Sequence, residues 1–151
     1  MIEDDRNLSD DARRALMNAG WSDGRNMAEQ VDEWSRQLAP GFLMFPVARS
    51  ALSRFGTVQV QQTGPGEECA RESFEFDPML ALGEDDRFRQ FEERLSTRLY
   101  PLGEAGGGHV FLAISETGHV FALMDELWLV APTIEGAIEA LVRGLQLRKV
   151  S

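Results

Sequence analysis

Residues 109–124 read HVFLAISETGHVFALM, and this stretch decides the fold. The runs 109–114 and 119–124 are apolar and rich in β-prone residues, and Gly118 between them can adopt the positive φ that a tight turn needs. The pattern predicts an antiparallel hairpin, and residues 127–130 predict one more short strand after it. Because both faces of the hairpin strands are largely apolar, we expect them in mid-sheet, covered by helices on one face and at least partly shielded on the other.

Three helices are predicted before the hairpin. A capping serine, apolar residues at helical spacing, and proline or glycine at the ends mark them. They cover about residues 10–19, the segment from near Asn26 to Pro40, and the segment from Pro46 to Gly56.

The period then changes from helical to alternating. Residues 57–61 and 73–76 predict two short strands. A further helix follows an acidic run and carries its apolar positions at Phe88, Phe91, Leu95 and Leu99. The last helix begins at Thr133 and continues to Leu145.

These elements predict an α+β fold. The strands occur in hairpin-like groups without alternating helices, which favours an antiparallel sheet with a central hairpin and helices packed mainly on one face. The 151 residues are the length of one domain, and we expect a single domain over residues 1–151. The ends, 1–8 and 148–151, are expected to be flexible.

The net charge and the lack of a membrane-spanning or signal segment exclude several classes of function. The formal net charge is −10, so the surface repels nucleic-acid phosphates and direct binding to DNA or RNA is not expected. No apolar run reaches the about 20 residues that span a bilayer, and the acidic start is unlike a signal peptide. We predict a soluble, cytoplasmic protein, and the single cysteine agrees with a reducing compartment.

The two histidines do not form a shared metal site. They begin the two hairpin strands, so a rise of about 3.4 Å over about five residues places His109 and His119 about 17 Å apart. Zinc needs each ligand about 2 Å away, so one ion cannot bind both. We expect no metal and no cofactor. We interpret both histidines as non-catalytic residues at strand ends. The alternative is that one of them is catalytic and is assisted by a carboxylate such as Glu104.

Two other features resemble a phosphate-binding loop and a catalytic cysteine, but neither has the neighbouring residues that such a site needs. Residues 103–108 (GEAGGG) resemble a phosphate loop, but His109 and Val110 follow where such a loop has lysine and then serine or threonine. We interpret them as a flexible connection. Cys69 follows two glutamates, which disfavour the thiolate that a nucleophile needs. We therefore predict that the chain is not an enzyme.

Five short motifs in order along the chain carry a resemblance to a known family. They are AGWSDGR at 19–25, FG at 55–56, SFEFDP at 73–78, LYPLGE at 99–104 and GHVF at 118–121. Together they resemble the SUKH superfamily, specifically its third subfamily, from about Ala19 to Gly144. Thr57 departs from the pattern, which usually continues with another glycine there, and this departure affects only the local loop.

The resemblance implies an α+β fold and a role as an immunity protein of bacterial polymorphic toxin systems. Such proteins bind and neutralise a cognate toxin, often a nuclease. An acidic protein suits that role, because a nuclease presents a basic cleft and opposite charge speeds association. The partner is thus expected to be a basic protein toxin, bound without turnover.

The resemblance supplies no contact residues, so these are hypotheses from the residues themselves. Glu104, Asp125 and Glu126 are first choices because they flank the central strands, and Glu84, Asp85 and Asp86 are second. Each acidic cluster is also compatible with a merely solvated surface. The remaining candidates, expected to be structural or to lie at the rim, are Trp21, Arg25 and Trp128.

A different class of function stays open. A small-ligand or regulatory domain would place a cleft beside the sheet, lined by Trp21, Phe121 and Trp128. A small hydrolase is a third possibility, and it lacks an identifiable set of catalytic residues.

Overall fold

The computed structural model describes residues 8–150. Within them lie five α-helices, a short 3-10 helix at Pro78–Ala81 and seven strands. The helices are α1 (Asp10–Asn18), α2 (Ala28–Leu38), α3 (Pro46–Phe55), α4 (Asp85–Leu95) and α5 (Ile134–Arg143). The strands are β1 (Gln59–Val60), β2 (Phe74–Glu75), β3 (Leu99–Ala105), β4 (Val110–Ser115), β5 (Val120–Leu123), β6 (Leu127–Ala131) and β7 (Arg148–Lys149).

The seven strands form one antiparallel sheet in chain order, β1 to β7. The predicted hairpin is β4–β5, with Ile114 opposite Val120 and Phe111 opposite Leu123. It occupies the middle of the sheet, and Gly118 adopts a φ of 93° in its turn. The α+β class and the central hairpin are therefore confirmed.

Local signals fix where α1, α3 and α5 begin. The Ser9 hydroxyl accepts a hydrogen bond from the Ala12 N–H (3.1 Å), and the Thr133 hydroxyl accepts one from the Gly136 N–H (3.0 Å). Pro46 occupies the first turn of α3. Each cap satisfies a backbone donor that the first helical turn leaves without a partner, so the starts were predictable from sequence.

Strand β3 corrects the prediction. The apolar spacing predicts Leu99 in the preceding helix, but α4 ends at Leu95, its C-cap Ser96 is left-handed, and Leu99 begins a seven-residue strand. Pro101 and Gly103 concealed this strand, since both residues are unusual inside one. The register shifts between them, and a Cβ at position 103 would lie 1.9 Å from the Glu75 carbonyl oxygen. Glycine is thus required where β2 and β3 approach each other.

The end of the chain also differs from the expectation. Arg148 and Lys149, predicted to lie in a flexible end, form β7 and pair with β6, and the Val150 N–H donates to the Leu127 carbonyl (2.8 Å). Leu147 and Val150 pack against the core, which holds the segment on the sheet. At the other end, Leu8 is buried, and residues 1–7 lie outside the described part.

All four residues of β5 are buried, so both faces of this central strand are covered. The Phe88 ring of α4 packs on Phe111 of β4, with ring centroids 5.5 Å apart. Glu104 is opposite Phe111, and its neighbour Ala105 is opposite Phe74, so Phe111 and Phe74 lie on opposite faces. α4 therefore covers the face on which Glu104 also lies.

Candidate functional site

A groove forms where the start of α4 meets the turn between β5 and β6. Its volume is about 490 Å³. It is lined by Gly83, Glu84, Asp86, Arg87, Gln90, Phe91, Met124 and Asp125. Three carboxylates from two distant parts of the sequence meet here, and we call Glu84, Asp86 and Asp125 the acidic corner.

Backbone hydrogen bonds hold both sides of the acidic corner in place. Gly83 adopts a φ of 86°. The Glu84 N–H donates to the Ala81 carbonyl (2.9 Å), and the Phe88 N–H donates to the Glu84 backbone carbonyl (3.1 Å). Across the groove, the Met124 N–H donates to the Glu126 carbonyl (3.1 Å) and tightens the β5–β6 turn. The groove is therefore built on ordered backbone and not on a long loop.

The charges of the acidic corner are only partly compensated within the chain. Glu84 lies 3.6 Å from Arg87, and Asp86 lies 2.6 Å from Arg89, in pairs three residues apart along α4. The Asp86 side chain remains 91% exposed. Asp125 is exposed and makes no ion pair with any residue between 8 and 150. Exposed pairs of this kind are weak, so these carboxylates stay available to a partner.

Two of the predicted contacts face elsewhere. Asp85 lies beside the loop between α2 and α3, where its carboxyl carbon would be 3.0 Å from a Cβ at Gly41, and it pairs with Arg89 at 3.6 Å. Glu126 pairs with Lys149 of β7 at 2.8 Å. Neither carboxylate lines the groove of the acidic corner, so their position and not their pairing separates them from Glu84, Asp86 and Asp125.

Glu104 belongs to a second acidic region. It lies on β3 opposite Glu75 of β2, in a separate groove with the glycine turn at 106–108. Burial raises the pKa of Glu104, and the neighbouring charges of Glu75 and Asp77 raise it further. Strand β3 is two positions from β5, about 10 Å at the usual strand spacing. The structure therefore does not bring Glu104 into the acidic corner.

Trp21 and Arg25 support the end of α3. The Trp21 indole N–H donates to the Arg54 carbonyl (3.0 Å), and the Arg25 guanidinium donates to the Arg54 and Gly56 carbonyls (3.2 and 2.8 Å). The Arg54 guanidinium in turn pairs with the buried carboxylate of Glu135 on α5. We call Trp21, Arg25, Arg54 and Glu135 the α3 brace.

The aromatic residues proposed for a ligand cleft are placed in the core instead. Trp21 is 4% exposed and stacks on Phe55 at 5.9 Å, and Phe121 is 6% exposed. Neither side chain is available to line an open cleft. Trp128 is half-buried on β6, opposite Ala122 and Lys149.

The histidines and the cysteine do not converge. His109 precedes β4 and His119 precedes β5, at opposite ends of the hairpin as the sequence predicted. His119 Nδ1 lies 3.0 Å from the Thr117 hydroxyl, and the exposed Cys69 thiol donates to the Leu145 carbonyl (3.5 Å). Over residues 8–150, no three His, Cys, Asp or Glu side chains are grouped so that they could hold a metal ion. No helix in this range is both long and apolar enough to cross a membrane.

Sequence reasoning missed the apolar residues beside the acidic corner. Leu82 is 59% exposed and Met124 is 39% exposed. Leu82 stands between a 3-10 helix and Gly83, outside any helical or alternating pattern, and this isolation was the available signal. Met124 ends the apolar run 119–124, so the pattern predicts it as the last residue of a buried strand.

Comparison with protein families gives one finding. The model of the SUKH-3 immunity protein family matches residues 8–144, which include every helix of the described chain and the whole acidic corner. No curated protein and no solved structure gives a significant match.

Proposed function

The chain belongs to the SUKH-3 immunity protein family, and from this premise we propose that it neutralises its cognate toxin by covering a basic surface of the toxin with the acidic corner. The family gives the chain a toxin-immunity role. The proposal adds the contact face, the physical basis of binding and the class of toxin.

The observation that carries the proposal is the meeting of Glu84, Asp86 and Asp125 in one groove. Carboxylates that remain exposed attract a basic partner before contact and orient the encounter, which raises association rates by about 10 to 1000-fold. Asp125 contributes most in this proposal because its charge has no ion-pair partner among the described residues.

A nuclease is the toxin class that fits this chemistry best. Its active site must attract phosphates and therefore carries arginine or lysine. An acidic, non-catalytic protein that occupies such a cleft excludes the nucleic acid both sterically and by repulsion. The net charge of −10 supports the same conclusion, since this chain itself repels nucleic acid.

The test compares two double charge reversals. Asp86→Lys with Asp125→Lys alters the acidic corner, and Asp10→Lys with Glu29→Lys changes the net charge equally in the first turns of α1 and α2. The probe is the cognate toxin domain, identified by testing the products of the neighbouring reading frames for capture by this chain. We expect the corner variant to associate about tenfold more slowly and with a weaker dependence on salt. The control variant should show a smaller change.

Three measurements complete the test. Thermal unfolding checks that both double variants fold. Both midpoints should fall modestly, because Asp10, Glu29 and Asp86 lie in the first turns of helices, where the helix dipole favours a negative charge. Equal association rates for the two variants would rule out the acidic corner as the contact.

The toxin domain is also assayed on plasmid DNA and on RNA. A domain that cleaves neither would rule out the nuclease assignment while leaving the contact face in place.

A further inference from the structure

Two exposed apolar side chains, Leu82 and Met124, line the groove of the acidic corner or the groove next to it. Five large apolar side chains are exposed between residues 8 and 150: Met17, Leu43, Leu80, Leu82 and Met124. Met17 lies apart, on α1. The other four belong to the α2–α3 loop, to the segment leading into α4 and to the β5–β6 turn. These segments border two adjoining grooves that share Gly83.

Leu82 stands on the boundary between the two grooves. On one side, the neighbouring groove is lined by Leu82 together with Gly41 and Phe42 of the α2–α3 loop. On the other side, Gly83 and Glu84 line the groove of the acidic corner. Met124 lines the opposite wall of the acidic corner, next to Asp125. The two apolar side chains therefore lie beside the carboxylates.

The backbone presents Leu82 in an ordered way. Its N–H donates to the Met79 carbonyl (3.0 Å), and the Glu84 N–H donates to the Ala81 carbonyl (2.9 Å). Because this turn is already ordered, covering Leu82 with a partner requires no further ordering of the backbone, which lowers the entropy cost of binding.

We propose that Leu82 and Met124 are the apolar anchors of the toxin interface, and that the carboxylates of the acidic corner form its rim. The inference rests on the proposed function and specifies the partner: a toxin surface with an apolar socket bordered by arginine or lysine. Interfaces of this kind hold a few desolvated anchors at the centre and polar groups around them. A second copy of this chain is a poor occupant, since the carboxylates beside Leu82 would face each other.

The test uses glutamine substitutions, which keep a side chain of similar size and remove its apolar character. Leu82→Gln and Met124→Gln are compared with Met17→Gln, whose parent side chain is 58% exposed, nearly the same as Leu82. The probe is the same toxin domain. We expect each anchor variant to dissociate at least about 30-fold faster, as the loss of a 2 kcal/mol anchor requires. The dependence of association on salt should not change. Met17→Gln should bind as the unaltered chain does.

The outcomes separate this inference from the proposal on which it rests. Unchanged dissociation in Leu82→Gln and Met124→Gln overturns the inference, and the proposed function survives if the charge reversals still slow association. Faster dissociation with no effect of the charge reversals supports the anchors and rejects the electrostatic part of the proposal. Light scattering of the chain alone gives a last check. A dimer that Leu82→Gln dissociates would assign this surface to a second copy and overturn the inference.

Discussion

The α3 brace and the acidic corner are both built from polar and charged side chains, but they use them in opposite ways. In the α3 brace, Glu135 is 6% exposed and pairs with Arg54, and Trp21 and Arg25 donate to backbone carbonyls. In the acidic corner, Asp86 is largely exposed and Asp125 has no ion-pair partner among the described residues.

The difference follows from solvation. A buried polar group must have its partner inside the protein, because losing one partner leaves the other desolvated at a cost of about 1–3 kcal/mol or more. An exposed carboxylate is solvated by water and has little effect on stability. The comparison therefore predicts that the α3 brace stabilises the fold, whereas the acidic corner determines recognition.

The largest expected effect is that of Trp21→Ala. The substitution removes the ring stacked on Phe55 and a buried hydrogen bond, so we expect a loss of about 3–4 kcal/mol in the free energy of unfolding. Denaturant titration measures it. Trp21→Phe keeps most of the ring and should lose less. Toxin affinity per folded molecule should stay unchanged in both variants, and a selective loss of affinity would place Trp21 in the interface and break the comparison.

The next effect is the removal of Arg54 from its buried partner. Arg54→Met leaves the Glu135 carboxylate buried without its ion pair, and we expect a loss of about 2 kcal/mol in the free energy of unfolding. The matched control is Arg36→Met, which breaks the exposed pair between Arg36 and Glu33 on α2. That control should leave the midpoint of denaturation unchanged. Equal losses in the two variants would contradict the claim that burial makes the difference.

The smallest effect comes from Glu104, whose burial is intermediate between that of Glu135 in the α3 brace and that of Asp86 in the acidic corner. Its pKa is raised in the folded state by burial and by Glu75 and Asp77, so the folded chain is more stable when Glu104 is protonated. This stabilisation is complete below the ordinary glutamate pKa of 4.5 and is lost as the pH rises through the higher folded value. Glu104→Gln should therefore raise the unfolding temperature at pH 7 by about 1–2 °C.

Differential scanning calorimetry over a pH series checks the direction. The gain of Glu104→Gln over the unaltered chain should shrink as the pH falls and vanish in acid, because both side chains are then neutral. Glu93→Gln removes an exposed carboxylate from α4 and should give no comparable gain. A lower unfolding temperature for Glu104→Gln at pH 7 would mean that Glu104 stabilises the fold and belongs with the α3 brace.

The parts of the fold that were predicted are those with local signals. Ser9, Thr133 and Pro46 mark helix starts through contacts within a few residues, and the turn at Gly118 marks the hairpin in the same way. Strand β3 could not be predicted by such signals. Gly103 is required there because the backbone of β2 passes too close for a Cβ, and that neighbour lies about 30 residues away in sequence.

The candidate site divides in the same way. The acidic segments and their charge could be identified from the sequence, which also carries the family motifs. Which carboxylates share a groove was decided by packing: α4 lies on β4 and brings Glu84 and Asp86 to Asp125. The same packing leaves Glu104 beside Glu75 and pairs Glu126 with Lys149.

By itself the sequence determined the charge, the starts of α1, α3 and α5, the central hairpin and the membership of an immunity protein family, because all of these depend on composition and on residues close together in the chain. Only the tertiary structure decided which acidic residues stay exposed without a partner and which apolar side chains lie beside them. The physical reason is that charge compensation and burial depend on contacts between distant segments, and no local pattern encodes those contacts.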